Sequence, residues 1–279
     1  MKKTLEWCKL LNCMTNNELG LVKNSLTNLY SLINSNDSMD DLEIKKAGQT
    51  LQKILLTKIF NIREQQELTL FMTKNNMLSL FQKIFEKFET NLEADFARLL
   101  INKNRGVKKT LISDYPIYYR YIISLKNEIK LAKINSKDKV LFVGSGPFPI
   151  TAILIHELTH SQVDCIEINK NSAKLSKKVI DHLNHSNSIN IINKDALTID
   201  YSDYMVIVIA ILAKPQDKLL EAMWKQISKG SRIIYRTADL IRQAFYEKTK
   251  TNILKKYRPF EKGKIGDKHT ISSILLVKN

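Results

Sequence analysis

Lys139-Val140-Leu141-Phe142-Val143-Gly144-Ser145-Gly146-Pro147-Phe148-Pro149-Ile150-Thr151 is the stretch on which the architecture turns. Its aliphatic and β-branched opening reads as a strand buried on both faces. Gly144 and Gly146 let the backbone turn sharply and approach a ligand with no Cβ in the way. Pro149 suits the first turn of a helix, where its missing N–H costs nothing. Strand, glycine turn and helix in that order is how α/β proteins hold a nucleoside-bearing ligand.

The text downstream repeats the pattern. Val163-Asp164-Cys165-Ile166-Glu167-Ile168 reads as a second strand. Glu167 falls near its end, roughly 20 residues past the glycines, where a ribose diol needs an acceptor. Asn190-Ile191-Ile192-Asn193-Lys194-Asp195 is a third, with Asp195 placed to reach an adenine amine. Tyr204 to Ala210 is a fourth and apolar throughout. Asn171 to Leu183 and Gln216 to Ile227 carry apolar residues at helical spacing, and Ile271 to Val277 closes the series as a strand. Such alternation predicts a mostly parallel sheet with ligands at the carboxyl ends of its strands. The expected fold is α/β: a Rossmann-like domain over 131–279, preceded by an all-α N-terminal domain over 1–130 that covers the active site. A dinucleotide site wants a third glycine at position 149, where Pro149 stands. Two prolines also remove donors that a pyrophosphate needs, whereas S-adenosylmethionine (SAM) carries no phosphate. SAM is therefore the expected ligand. Gly144, Ser145, Gly146, Pro147, Glu167, Asp195 and Ala210 are the expected contacts.

Gly144-Ser145-Gly146-Pro147-Phe148-Pro149-Ile150-Thr151 resembles the G-x-G-P-x-P-x-T segment of nicotianamine synthases. Ile209-Ala210-Ile211-Leu212-Ala213-Lys214-Pro215 resembles the strand-four loop of the archaeal members, and Arg232-Ile233-Ile234-Tyr235-Arg236-Thr237 their next strand. Arg120-Tyr121 followed by Leu125-Lys126-Asn127-Glu128 is similar to the segment before their SAM domain. The likeness covers roughly 78–277. Bacterial enzymes of the staphylopine-synthase type share the SAM half but match less closely. The resemblance implies transfer of the 3-amino-3-carboxypropyl (aminobutanoyl) group of SAM to the amine of an amino acid, with methylthioadenosine released. The acceptor would be glutamate, histidine or a SAM-derived intermediate, and the product a nicotianamine-like metallophore that chelates transition metals. It also implies a tyrosine and a glutamate that deprotonate the amine; the matching positions are Tyr121 and Glu93.

The residues can be weighed without the family. Leu78, Phe81, Phe85, Phe88, Leu92, Phe96 and Leu99 mark one buried helix face, with Glu93 at its margin in line with Ala97 and Leu100. An acid on such a margin is usually a solvated flank, and it is the family resemblance that brings the catalytic reading level with it. Tyr121 lies among Tyr115, Tyr118 and Tyr119, a cluster that also suits packing. A free tyrosine is a poor base at neutrality, so Tyr121 would serve as a relay to Glu93. Arg120 and Arg236 are candidates for a bidentate grip on a substrate carboxylate, and Arg236, at the end of a strand, is the better placed. His156 and His160 stand at i, i+4 but lack a third ligand, so no bound metal is expected.

Composition sets outer bounds. The chain has 279 residues and a formal charge of +16. Its lysines are dispersed, which reads as a solvated surface and not a nucleic-acid footprint. No stretch approaches the length of a membrane span, and Glu6 and Lys9 interrupt what would be the apolar run of a leader. Cys8, Cys13 and Cys165 are odd in number and suit reduced cytoplasmic thiols. A homodimer is left open. So are two other readings: a SAM-dependent methyltransferase, with RNA as one substrate class, and a non-catalytic SAM-binding protein.

Overall fold

The amphipathic patterns become helices and the apolar runs become strands in the computed structural model, which describes residues 16–36, 38–102, 111–248, 258–262 and 271–278. Cys8, Cys13, His269, the rejected leader at 1–5, residue 37, residues 103–106 and the pairs Lys108-Lys109 and Lys255-Lys256 lie outside the described residues.

The described residues fall into two packing units. The first holds residues 16–36, 38–88 and 238–247. Its helices are α1 (Asn16–Asn34), α2 (Asp41–Leu56), α3 (Ile62–Lys74) and the first part of α4 (Leu78–Ile101). Two of these helices start at reciprocal capping boxes. Asp40 accepts from the Glu43 amide at 2.8 Å, and the Asp40 amide donates to the Glu43 carboxylate at 2.9 Å. Asn61 and Glu64 repeat the arrangement for α3. Leu26, Leu51, Leu55, Leu68, Met72, Phe81 and Phe85 fill the core, with the Phe85 ring 4.6 Å from that of Phe245. Gly48 admits Phe88: a Cβ there would lie 2.4 Å from its ring.

The second unit holds the rest of α4, α5 (Tyr118–Ala132) and a seven-stranded sheet. The strands are β1 (Lys139–Val143), β2 (Gln162–Ile166), β3 (Ile189–Ile192), β4 (Val206–Ile209), β5 (Arg232–Thr237), β6 (Arg258–Lys262) and β7 (Ser272–Val277), interleaved with α6 (Ile150–Thr159), α7 (Lys170–His182) and α8 (Gln216–Gln226). Their order across the sheet is β3-β2-β1-β4-β5-β7-β6. The first five neighbours pair in parallel and β7 runs antiparallel to both β5 and β6. Strand alternation splits the core in two. Val140, Phe142, Val208 and Ile234 pack on one face with Phe96, Leu125 and Ile153; Leu141, Val143, Ile207 and Ile233 pack on the other with Leu219 and Met223.

A boundary at 130/131 follows the change from helix to strand, but the packing divides after Phe88. The helical residues Phe96, Ala97, Leu100, Tyr115, Leu125 and Ala132 bury themselves in one cluster with the sheet. Arg232 ties α5 to the sheet from below, donating to the Ala132 carbonyl at 2.6 Å and the Lys133 carbonyl at 3.1 Å while pairing with Asp138. These are the orphan carbonyls of a helix C-terminus.

One expectation shifts. Leu99 is 58 % exposed, and Leu100, at 3 %, points inward instead. The apolar residues 78 to 99 repeat every 3.5 positions, while a straight helix has 3.6 per turn and drifts by about 20° per heptad. By the third heptad the inward face has moved to Phe96, Ala97 and Leu100, and that drift carries Glu93 toward the interior.

Candidate active site

The registers place the site before any side chain is considered. Val143 pairs with Ile166 and Ile209, Ile166 with Ile192, and Ile209 with Tyr235. Gly144, Glu167, Asn193, Ala210 and Arg236 therefore stand in one row, a residue past those pairs, along the carboxyl edge. The strand order reverses at β1, which is where ligands bind in such sheets.

Gly144 and Gly146 take positive φ, +81° and +66°, as the turn requires. The Gly144 amide donates to the Ile166 carbonyl at 2.8 Å, closing β1 onto β2. Glu167 is held at both oxygens: Oε2 accepts from the Gly146 amide at 2.8 Å and Oε1 from the Asn169 amide at 2.8 Å. Each oxygen keeps a lone pair, which is what a diol would use. A Cβ on Gly144 would press on Ala213 and Ala210, so small residues line this turn from the β4 side as well. Ser145 is buried and its hydroxyl has no partner among the described residues. Pro147 is buried in the same turn. Asp195 stands apart. It is exposed, three residues past β3, and its carboxylate accepts from the Leu197 amide at 2.9 Å to cap a short turn. Gly144, Gly146, Glu167 and Ala210 thus lie together along the carboxyl edge around the glycine turn.

Glu93 and Tyr121 come together from different helices. Glu93 is on α4, and Tyr121 is in the first turn of α5. The Tyr121 hydroxyl donates to Glu93 Oε1 at 3.4 Å. The other oxygen faces the glycine turn, so that a Cβ on Gly146 would lie 2.5 Å from Glu93 Oε2. Burial, then Glu89, then Glu167 push the Glu93 carboxyl well above the usual carboxylate range, against the hydrogen bond from Tyr121. Burial, then Glu93 and Glu89, hold the Tyr121 phenol well above its usual range, with Arg236 and Arg120 acting in the opposite direction. The phenol therefore stays protonated near neutrality and is a donor to Glu93, not a free phenolate.

The two arginines differ. Arg236, 4 % exposed, is forked onto Glu128: Nε donates to Oε1 at 2.9 Å and Nη2 to Oε2 at 2.8 Å. Its Nη1 donates to the Thr151 hydroxyl at 3.2 Å. Arg120 makes only a loose pair with Glu89, at 4.0 Å. That leaves its guanidinium donors open among the described residues.

Three residues beside Glu93, Tyr121 and Arg236 carry no role in the sequence reading: Glu89, and Glu128 and Thr151, which stand in the quoted segments without one. A signal existed for the first. Phe85, Glu89, Glu93 and Ala97 form one i, i+4 row on α4, so two acids replace apolar residues on an inward-facing stripe. Glu128 likewise stands at helical spacing between the buried Leu125 and Ala132. His156 and His160 make no ligand set: His156 Nδ1 is 2.9 Å from the Ser161 carbonyl, and among the described residues no cluster of His, Cys, Asp or Glu could hold a metal ion. No helix of the described residues is long and apolar enough to cross a membrane.

Comparison with known proteins gives the family and the fold. Residues 15–278 match the nicotianamine synthase protein family. The L-histidine 2-aminobutanoyltransferase of Yersinia pestis is 28 % identical over 123 residues, which is 44 % of this chain and 46 % of that protein; the chain thus aligns with about half of that relative's length. The structure of MtNAS in complex with MTA and tNA superposes with a TM-score of 0.82 at 24 % identity, covering 95 % of this chain and 100 % of the other. A glutamate-to-glutamine variant of MtNAS in complex with S-adenosylmethionine gives 0.79 at 24 % identity, covering 92 % and 97 %. At that identity the two structures speak for the fold.

Proposed function

The chain belongs to the nicotianamine synthase family, and from that premise we propose that it transfers the aminobutanoyl group of SAM to the amine of an amino acid. The observation that carries this reading is the Tyr121–Glu93 contact at 3.4 Å with Glu93 set against the Gly146 turn. A proton acceptor beside the sulfonium site is what amine attack needs.

The donor supplies a sulfonium whose departure makes the γ-carbon of its amino-acid tail electrophilic. The residues of the chain do the rest. Glu167 and the two glycines seat the nucleoside, turning the tail toward α4 and α5. The acceptor ammonium gives up one proton to Tyr121 Oη as the phenol passes its own to Glu93 Oε1. The neutral nitrogen then forms a bond to the γ-carbon while the C–S bond breaks, its electron pair leaving with sulfur as methylthioadenosine. One proton is released overall, and Glu93 holds it. A carboxyl pushed above its usual range is suited to this, because a base poised nearer neutrality accepts a proton from an amine more readily. Tyr121 acts only as a relay.

Arg120 is the residue we assign to the acceptor's carboxylate, since its fork is open where that of Arg236 is closed. Glutamate, histidine and a SAM-derived intermediate all carry that carboxylate, and their products chelate transition metals through the added amines and carboxylates. We place the reaction in the cytoplasm, where the buried thiol of Cys165 stays reduced.

The test is product analysis. Incubation with SAM and a panel of amino acids is expected to release methylthioadenosine, with Arg120→Lys raising the acceptor KM about tenfold through loss of the fork. Release of S-adenosylhomocysteine in its place would overturn the reading in favour of methyl transfer.

A further inference from the structure

The family premise leaves a buried ion pair unexplained. Arg236 and Glu128 are 4 % and 1 % exposed, and taking two charges out of water carries a large desolvation cost. Such a pair is weak evidence for stability, because apolar residues of similar volume often serve as well. Its placement suggests another use.

Glu128 lies seven residues after Tyr121 on α5, nearly two full turns, so both project from one side of the helix about 10 Å apart. Between them Leu125 is buried on the same side. The guanidinium that grips Glu128 belongs to the carboxyl end of β5, stands 5.9 Å from the centre of the Phe142 ring on β1, and donates to Thr151 at the start of α6. Thr151 is the second residue of α6, five positions past Gly146. Ser273 of β7, paired in register with Arg236, donates its hydroxyl to Glu128 Oε1. One planar cation thus joins the helix that carries Tyr121 to the helix that begins at the glycine turn, and a second strand locks the carboxylate from its other side. A bidentate fork fixes direction as well as distance.

We propose that Arg236 and Glu128 are a positioning pair for Tyr121, setting the phenol relative to the glycine turn, and that Arg236 does not hold a ligand carboxylate. The proposal rests on the aminobutanoyl reading for its choice of assay. It also explains why a guanidinium occupies a place where an apolar residue would pack: only a rigid fork with a third donor can tie α5, α6 and β5 at one point.

Arg236→Met alone would strand the Glu128 carboxylate and risk misfolding, so the informative variant is Arg236→Met combined with Glu128→Leu, which removes both charges together. Arg236→Lys is the companion, keeping the charge but not the fork. For both, SAM dissociation constants are measured by calorimetry, and kcat and acceptor KM by product release. Both variants are expected to bind SAM and acceptor within about threefold of wild type and to lose on the order of 10²-fold in kcat, the penalty of a reacting group misplaced by about 1 Å. A rise of tenfold or more in the SAM dissociation constant or acceptor KM with kcat unchanged would make Arg236 a ligand residue and overturn the proposal. So would wild-type kcat and KM together in the double variant. The wild-type control is read by product: S-adenosylhomocysteine would sink the aminobutanoyl reading, while the split between kcat and KM still decides the role of Arg236.

Discussion

Gly146→Ala carries the sharpest consequence of the site's geometry. A methyl group there would lie 2.5 Å from Glu93 Oε2, against ordinary contact at 3.4–4 Å, at a residue whose φ is +66°. Two costs follow. The left-handed backbone conformation costs about 1–2 kcal/mol for a residue with a Cβ. The overlap is relieved most cheaply by the far end of a flexible side chain, so Glu93 moves off by roughly 0.9 Å, with a displacement of that size worth about 10²-fold in rate. Gly230→Ala is the matched control: its φ is +84°, yet among the described residues nothing lies within 4 Å of a Cβ there. Both variants are expected to lose stability, with each 1 kcal/mol lowering Tm by about 2–4 °C. Only Gly146→Ala should lose methylthioadenosine release, with SAM binding kept because the Gly146 amide still reaches Glu167. Steady-state rates at saturating substrate, taken well below both melting temperatures, make the comparison. Equal rates for the two variants would refute the placement of Glu93 against the turn.

Glu93→Gln should abolish turnover and raise stability. A carboxyl whose folded pKa is raised makes the folded state hold its proton longer than the unfolded state does, so it subtracts stability as pH rises past the ordinary carboxylate range and through the raised value. The variant should therefore melt above wild type at pH 8, with the gap closing toward pH 4; a gap independent of pH would contradict the assignment. Glu89→Gln removes one of the causes that raise Glu93, leaving burial and Glu167 in place. The acid limb of its kcat/KM profile should move to lower pH, and because Glu89 also raises Tyr121 and pairs with Arg120 the alkaline limb and the acceptor KM are followed alongside it; an acid limb that stays put would deny Glu89 that influence.

Much of the fold is legible from residue order alone. The glycine turn, the parallel strands and the helices between them follow from apolar period and φ preference, and β5 runs from Arg232 to Thr237, the span quoted for the family's corresponding strand. Glu167 is legible for the same reason: a strand's last residues face the crest whatever the packing. Asp195 is less so, because three residues of turn separate it from β3 and its carboxylate is taken up as a cap. The helical half of the site is harder. Glu93 and Tyr121 are 28 positions apart on separate helices, and only the likeness to a family joins them before their contact is seen. Glu89 and Glu128 are legible only as acids at inward helical positions; the sequence does not show which basic groups they meet, because Arg120 and Arg236 come from other elements. Arg236 looks from its strand position like a free ligand for substrate, but its fork is occupied by a carboxylate 108 residues earlier in the chain.

The hydroxyl of Ser273 reaches Glu128 across 145 positions of sequence. Bringing together residues so far apart closes a long loop, and contacts of that kind are slow to form. The surroundings of Glu128 thus depend on a strand far from it in sequence, and a substitution on β7 can be felt at α5 through a single hydroxyl.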